Sequence, residues 1–305
     1  MQSGFAHRAS LSLFGIRVEF ESNSEEAIAI ARECISRGNQ TLFSNAGEQS
    51  IYIVLTMYDV NRKQPHGREH VDSTSLTLNF GEVAVRANPL SGHGECEFPA
   101  GSELGEPFAE AINTVVLFLV AQAGRIPVHA AAIMLGDVAV VLAGPSGAGK
   151  STLAMAAAQA GLDVLSEDTV FVQCHPKLRL WSRTDAVHVF ENDAPVGAEG
   201  GRRLRSGRWK KVLPLATRRD YADRARLCML ERGDDLSLTP MAPDEAVVAL
   251  TANPEPGYEF YGARAVEAAR LLTAGGAWRL TLSKSPHEAI SLIRQVFAPS
   301  DPGKP

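Results

Sequence analysis

The stretch "VVLAGPSGAGKSTLAMAAAQAGLDVLSEDTVFV", Val140 to Val172, decides the fold. Within it "GPSGAGKS", Gly144 to Ser151, fills every position of G-x-x-x-x-G-K-[ST], after an apolar β-branched run and before the helix-favouring "TLAMAAAQAG". Strand, glycine-rich loop and helix in that order are what a phosphate loop needs. Glycines let the backbone curl with its N–H groups pointing inward, and the helix adds its positive N-terminal end. Gly144, Pro145, Ser146, Gly147, Ala148, Gly149, Lys150, Ser151 and Thr152 are therefore the candidate nucleotide-binding residues. Lys150 is expected to reach the β- and γ-phosphates of ATP, and the Ser151 hydroxyl to hold Mg²⁺. Gly161 is placed to end the helix. A chance glycine-rich turn is the bland alternative, and the fit of both flanks argues against it. The motif predicts nucleoside triphosphate binding and leaves the reaction open.

An acidic pair beyond the loop narrows the reaction. Glu167 and Asp168 close "LDVLSED", the next apolar segment after the helix, at the expected end of a strand beside the loop. One carboxylate there can help hold Mg²⁺, and the other can accept the proton of an attacking hydroxyl. A transporter-type ATPase is the obvious lookalike. However, the chain has no "LSGGQ"-like stretch and no later apolar run ending in Asp-Glu to orient a hydrolytic water. Small-molecule kinases usually carry the phosphate loop close to the chain start, whereas this one lies near the middle.

From Val128 to Asp168 the order is histidine, hairpin, phosphate loop, helix and acidic pair: "VHAAAIMLGDVAVVLAGPSGAGKSTLAMAAAQAGLDVLSED". This resembles HPr kinase/phosphorylase and its C-terminal-domain relatives. The resemblance implies an α/β fold, a P-loop kinase core of the HPr kinase/PEP carboxykinase type, with a smaller N-terminal α+β domain. It also implies that Asp168 is the catalytic aspartate, Glu167 the acid near the metal and His129 the histidine preceding the hairpin. With Lys150 these make up the expected catalytic set. Two departures bear on activity. The family's first acid is usually Asp, and the glycine-rich segment tied to phosphorylase activity has no counterpart here, so that activity is not implied. The better match is the set of HPr-kinase-like proteins, including those of lasso-peptide gene clusters, that phosphorylate a serine of a precursor peptide.

Plainer readings stand beside these. His129 on an apolar strand also fits a buried structural histidine, and an acidic pair also fits an ordinary polar strand end. The basic loop "GGRRLRSGRWKK", Gly200 to Lys211, is either a solvated mobile segment or a grip on phosphate or on an acidic peptide, through Arg202, Arg203, Arg205, Arg208, Lys210 or Lys211. Phe190, Trp181 and Trp209 either flank adenine or pack in the core. The histidines His7, His66, His70, His93, His175, His188 and His287 suggest no site.

The 305 residues allow two domains, and the pattern divides them into 1–105, an α+β unit plausible for acceptor recognition, 106–298, the catalytic domain, and a frayed tail, 299–305. In the first, "LSLFGIRVEFES" reads as a strand and "SNSEEAIAIARECIS" as a helix with a capping box from Ser22 to Glu25. Ala87 to Pro107, rich in glycine, proline and acids, reads as a linker, and Arg183 to Arg208 as an irregular region. The net charge of −5 gives no reason to expect nucleic acid or an anionic membrane as partner. Cys34, Cys96, Cys174 and Cys228 are scattered without metal-ligand spacing, as reduced buried thiols of a cytoplasmic protein would be. The N-terminus lacks the apolar core of a signal peptide, and the apolar run Ala111 to Gly124 is shorter than the roughly 20 residues of a membrane span, so a buried helix is expected. The reading at this level is an ATP- and Mg²⁺-dependent kinase acting on a serine of a protein or peptide, with a homo-oligomer compatible. A kinase for a small metabolite and a non-catalytic ATP-binding regulator remain alternatives.

Overall fold

Alternation through "LSLFGIRVEF" builds a hairpin rather than one strand. β1 (His7–Leu13) and β2 (Ile16–Ser22) pair antiparallel with Leu13 opposite Ile16. Phe14 and Gly15 between them both have positive φ, 52° and 71°, as a tight two-residue turn between twisted strands requires. The computed structural model describes residues 5–36, 50–59, 68–182, 186–190, 201–205, 208–215, 219–252, 261–283 and 285–297. They fall in two compact units, Met1–Arg125 and Ile126–Pro305.

The first unit continues with α1 (Glu25–Ser36), β3 (Ser50–Tyr58), β4 (His70–Val71), β5 (Leu76–Phe80), β6 (Val83–Asn88), β7 (His93–Pro99) and α2 (Glu106–Gln122). Its seven strands form one sheet in the order β1-β2-β3-β7-β6-β5-β4. The two helices pack on that sheet and on each other, α1 against β1 and β2, α2 against β5, β6 and β7. Ser22 is not the helix cap. Its hydroxyl is buried at the end of β2, 2.7 Å from the Leu55 carbonyl, while the Ser24 hydroxyl takes the Ala27 amide at 3.3 Å.

Two expectations change here. The supposed linker contains β7, whose Gly94, Cys96 and Phe98 point inward while Glu95 and Glu97 point out. Gly94 is glycine because a Cβ there would collide with the Val115 side chain of α2. The long apolar helix α2 belongs to this unit, so the division comes after Arg125 rather than before the helix.

The second unit contains β8 (Arg125–Leu135), β9 (Val138–Ala143), α3 (Lys150–Gln159), β10 (Val164–Ser166), β11 (Thr169–Gln173), β12 (Arg179–Trp181), β13 (Ala186–Phe190), β14 (Gly201–Arg205), β15 (Arg208–Pro214), β16 (Tyr221–Ala222), β17 (Ala225–Arg232), β18 (Ser237–Met241), α4 (Pro243–Thr251), α5 (Gly262–Thr273), β19 (Ala277–Leu282) and α6 (Pro286–Phe297). Its nine-stranded sheet runs β16-β12-β11-β8-β9-β17-β19-β18, with β10 also on β8. The expected hairpin is β8 to β9, closing through Gly136 and Asp137 with Gly136 at φ 62°. Three neighbours, β9, β17 and β19, run parallel. Parallel strands buried on both faces need near-continuous apolar sequence, and β9 supplies it. The core joins Val140, Leu142, Leu153, Cys228, Leu280 and Ile293, so it ties α3 and α6 to the sheet.

The described residues of the region expected to be irregular contribute to a third sheet, β13-β15-β14. The basic "loop" is its β14–β15 hairpin, in which Arg202 is opposite Lys211 and Arg203 opposite Lys210. Among the described residues no helix is long and apolar enough to cross a membrane. The tail 299–305 lies outside the described residues.

Candidate active site

The loop from Gly144 to Gly149 leaves β9 at the strand's C-terminal end and enters α3 at Lys150. Two of its residues, Gly147 and Gly149, take left-handed φ values of 81° and 113°, which side-chain-bearing residues rarely adopt. Gly149 is also the residue that caps α3, and no side chain caps the helix in its place. The Lys150 side chain is buried and donates to the carbonyls of Gly144 at 2.7 Å and Pro145 at 3.1 Å, so the loop wraps its own lysine. Ala148, Leu153 and Ala154 seat this turn in the core.

The strand register brings His129 to the same place. Ala130 is the cross-strand partner of Ala143, the last residue of β9, so His129 on β8 lies beside the start of the phosphate loop. β10 pairs with β8 on its other side, Ser166 opposite Ala132. Beyond Ser166 the chain turns sharply, held by the Ser166 hydroxyl, which donates to the Thr169 carbonyl at 2.7 Å and accepts the Asp168 amide at 3.4 Å. That turn sets the Asp168 carboxylate 3.6 Å from His129 Nδ1, both side chains partly open to solvent. Three separated segments therefore meet: the loop, the β8 histidine and the β10 turn.

Glu167 faces the other way. It is buried, and His188 on β13 engages both of its oxygens, the backbone amide at 2.7 Å from Oε2 and Nδ1 at 2.5 Å from Oε1. Met155 of α3 packs on Val187 and Val189 alongside, so the third sheet is fastened both to the loop's helix and to Glu167. His188 has no signal in the sequence beyond its place in the alternating "AVHVF". Trp181 is a core residue. It is buried, with Nε1 donating to Gln173 Oε1 at 3.2 Å, which removes it as an adenine platform. The side chains of Phe190 and Trp209 lie outside the described residues, as do those of Arg202, Arg203, Arg205 and Arg208.

The residues present suit a nucleotide polyphosphate. An uncapped helix N-terminus without acidic residues in its first turn, with a lysine beside it, favours a multiply charged anion. They also suit Mg²⁺, which keeps several waters and needs only one or two protein oxygens besides the phosphates. Ser151 and Asp168 are partly exposed at the site, while Glu167 is committed to His188. Among the described residues no cluster of three or more His, Cys, Asp or Glu forms a protein-only metal cage. Thiol chemistry has no candidate. All four cysteines are free and buried, and burial raises the thiols of Cys96, Cys174 and Cys228, Cys174 to about 11.

No family model matches the chain. No curated protein matches it. Among solved structures it is similar to the HPr(Ser) kinase/phosphatase from Coxiella burnetii, at 11% identity and a TM-score of 0.30, over 56% of this chain and 95% of that one. A superposition that loose says nothing about the chemistry of this chain.

Proposed function

We propose that the chain is an ATP- and Mg²⁺-dependent kinase that transfers the γ-phosphoryl group to a hydroxyl, specifically a serine of a protein or peptide. The observation that carries this reading is the Asp168–His129 pair beside the first residue of a complete phosphate loop. The acceptor oxygen attacks the γ-phosphorus, the bond to the β,γ-bridging oxygen breaks, and ADP leaves. Asp168 takes the proton of the attacking hydroxyl, and His129 holds that carboxylate in place. The loop amides and Lys150 position the phosphates, and Lys150 can exchange its carbonyl partners in the loop for phosphate oxygens at little cost. Ser151 would hold Mg²⁺, which supplies charge neutralisation at the β- and γ-phosphates. Glu167 supports the site from behind, through His188. The choice of serine rests on the sequence resemblance over Val128–Asp168.

Acceptor class is tested by incubating the protein with γ-labelled ATP, Mg²⁺ and, in parallel, serine-bearing peptides, sugars and free amino acids. Acid-stable label recovered as phosphoserine supports the proposal. Label on a small metabolite moves the acceptor to that class, and tight ATP binding with no transfer to any acceptor identifies a regulator instead.

A further inference from the structure

β17 runs parallel to β9, with Met229 beside Ala143, and so continues alongside the phosphate loop after β9 ends. Its next residue, Leu230, abuts the first loop glycine: a Cβ on Gly144 would lie 3.0 Å from the Leu230 carbonyl oxygen. Two residues on, at the strand's end, Arg232 reaches the last one. A Cβ on Gly149 would lie 3.2 Å from Arg232 Nη2 and 3.7 Å from its Cζ. The guanidinium therefore stands against the residue that caps α3.

Its surroundings are informative. Arg232 is exposed, and among the described residues its side chain has no hydrogen bond or ion pair. The neighbouring acid, Glu231, is turned to Thr281 at 2.8 Å and Arg279 at 3.6 Å. A second cation is thus held beside the buried Lys150 and the positive end of a helix with no acid in its first turn. Accumulated positive charge of this kind costs stability unless an anion occupies it.

We infer that Arg232 is a further nucleotide-binding residue, donating from its guanidinium to the phosphate oxygens that the loop's backbone holds. This rests on the proposed nucleotide site and adds a ligand from a different strand. Arginine suits the role because its planar fork of donors engages phosphate oxygens in pairs and stays charged at any working pH. The residue lies outside the loop motif, just past an apolar strand. No local pattern marks it.

The test is titration of the full chain with fluorescent ADP and ATP analogues, comparing wild type, Arg232→Ala, Arg232→Lys and Lys150→Ala, with melting temperatures recorded for each. Because Arg232 is exposed and stands beside other positive charge, Arg232→Ala without nucleotide should melt no lower than the wild type. The expected result is an affinity about tenfold weaker for both nucleotides in Arg232→Ala, partly restored in Arg232→Lys. Wild-type affinity in Arg232→Ala, with binding lost in Lys150→Ala, overturns the assignment of Arg232 and leaves the nucleotide site standing. No binding by the wild type overturns both.

Discussion

Both carboxylate oxygens of Glu167 are engaged by His188, whose amide is 2.7 Å from Oε2 and whose Nδ1 is 2.5 Å from Oε1. A buried carboxylate is costly unless its lone pairs are met, and one residue of β13 meets those of Glu167. The carboxylate of the neighbouring residue, Asp168, lies instead 3.6 Å from His129 Nδ1. Adjacent acids thus have different partners, one on β13 and the other on β8.

Under the proposed function Glu167 supports the site through His188 rather than holding metal. Glu167→Gln should leave the Mg²⁺ concentration for half-maximal activity within about twofold of wild type, while the lost charge-assisted bond lowers stability by about 2 kcal/mol. His188→Ala should lower stability as well, since it takes the imidazole from Glu167 Oε1 while the backbone amide stays on Oε2. Mg²⁺ titrations and chemical denaturation read the two effects separately. A Mg²⁺ requirement raised tenfold or more in Glu167→Gln would place that carboxylate on the metal.

Gly94 offers a test confined to the first unit. A Cβ at this position of β7 would run into Val115 of α2, with Leu119 Cδ1 at 3.2 Å. Gly94→Ala should destabilise that unit by about 1–3 kcal/mol, as overpacking in a closed core does, and Gly94→Val by more. Nucleotide affinity measured at low temperature should stay at the wild-type value.

Asp223 predicts a pH signature. Its carboxylate is held below the ordinary carboxylate value of 3.8, first by the Arg179 side chain and then by Lys177. A depressed folded-state value contributes stability that is fully present above 3.8 and is lost as pH falls toward the lower folded-state value. Asp223→Asn should therefore melt below the wild type at neutral pH by a constant margin. That margin should shrink in acid, below the ordinary carboxylate value, as the wild-type carboxylate takes its proton. A margin that widens in acid would contradict the pairing.

The phosphate loop is legible in the sequence because its parts are contiguous: an apolar strand, glycines where φ turns positive, and a helix. The β8–β9 hairpin is legible from the Gly136-Asp137 turn between apolar runs. The meeting of His129 and Asp168 is not, because it depends on β10 pairing with β8, a contact that no local pattern announces. Composition hides β7, since Gly92 in the turn before it and Gly94 within it resemble a linker until α2 is laid over them. Arginines and glycines mask β14 and β15 in the same way, since those strands satisfy their backbones in a small sheet with no long apolar run. α2 reads as a buried helix, but periodicity does not say which sheet buries it. His188 and Arg232 act through neighbours far away in the chain, and neither belongs to a motif.

Under the proposed function Asp168 accepts the proton of an attacking hydroxyl beside the phosphate loop. The direct measurement is phosphoryl transfer from γ-labelled ATP to a serine-bearing acceptor, wild type against Asp168→Asn, with nucleotide affinity determined on the same preparations. Asp168→Asn should bind ATP within a few-fold of wild type and transfer at least about a hundredfold more slowly, the scale of a lost general base. Transfer at the wild-type rate in that variant would contradict that role.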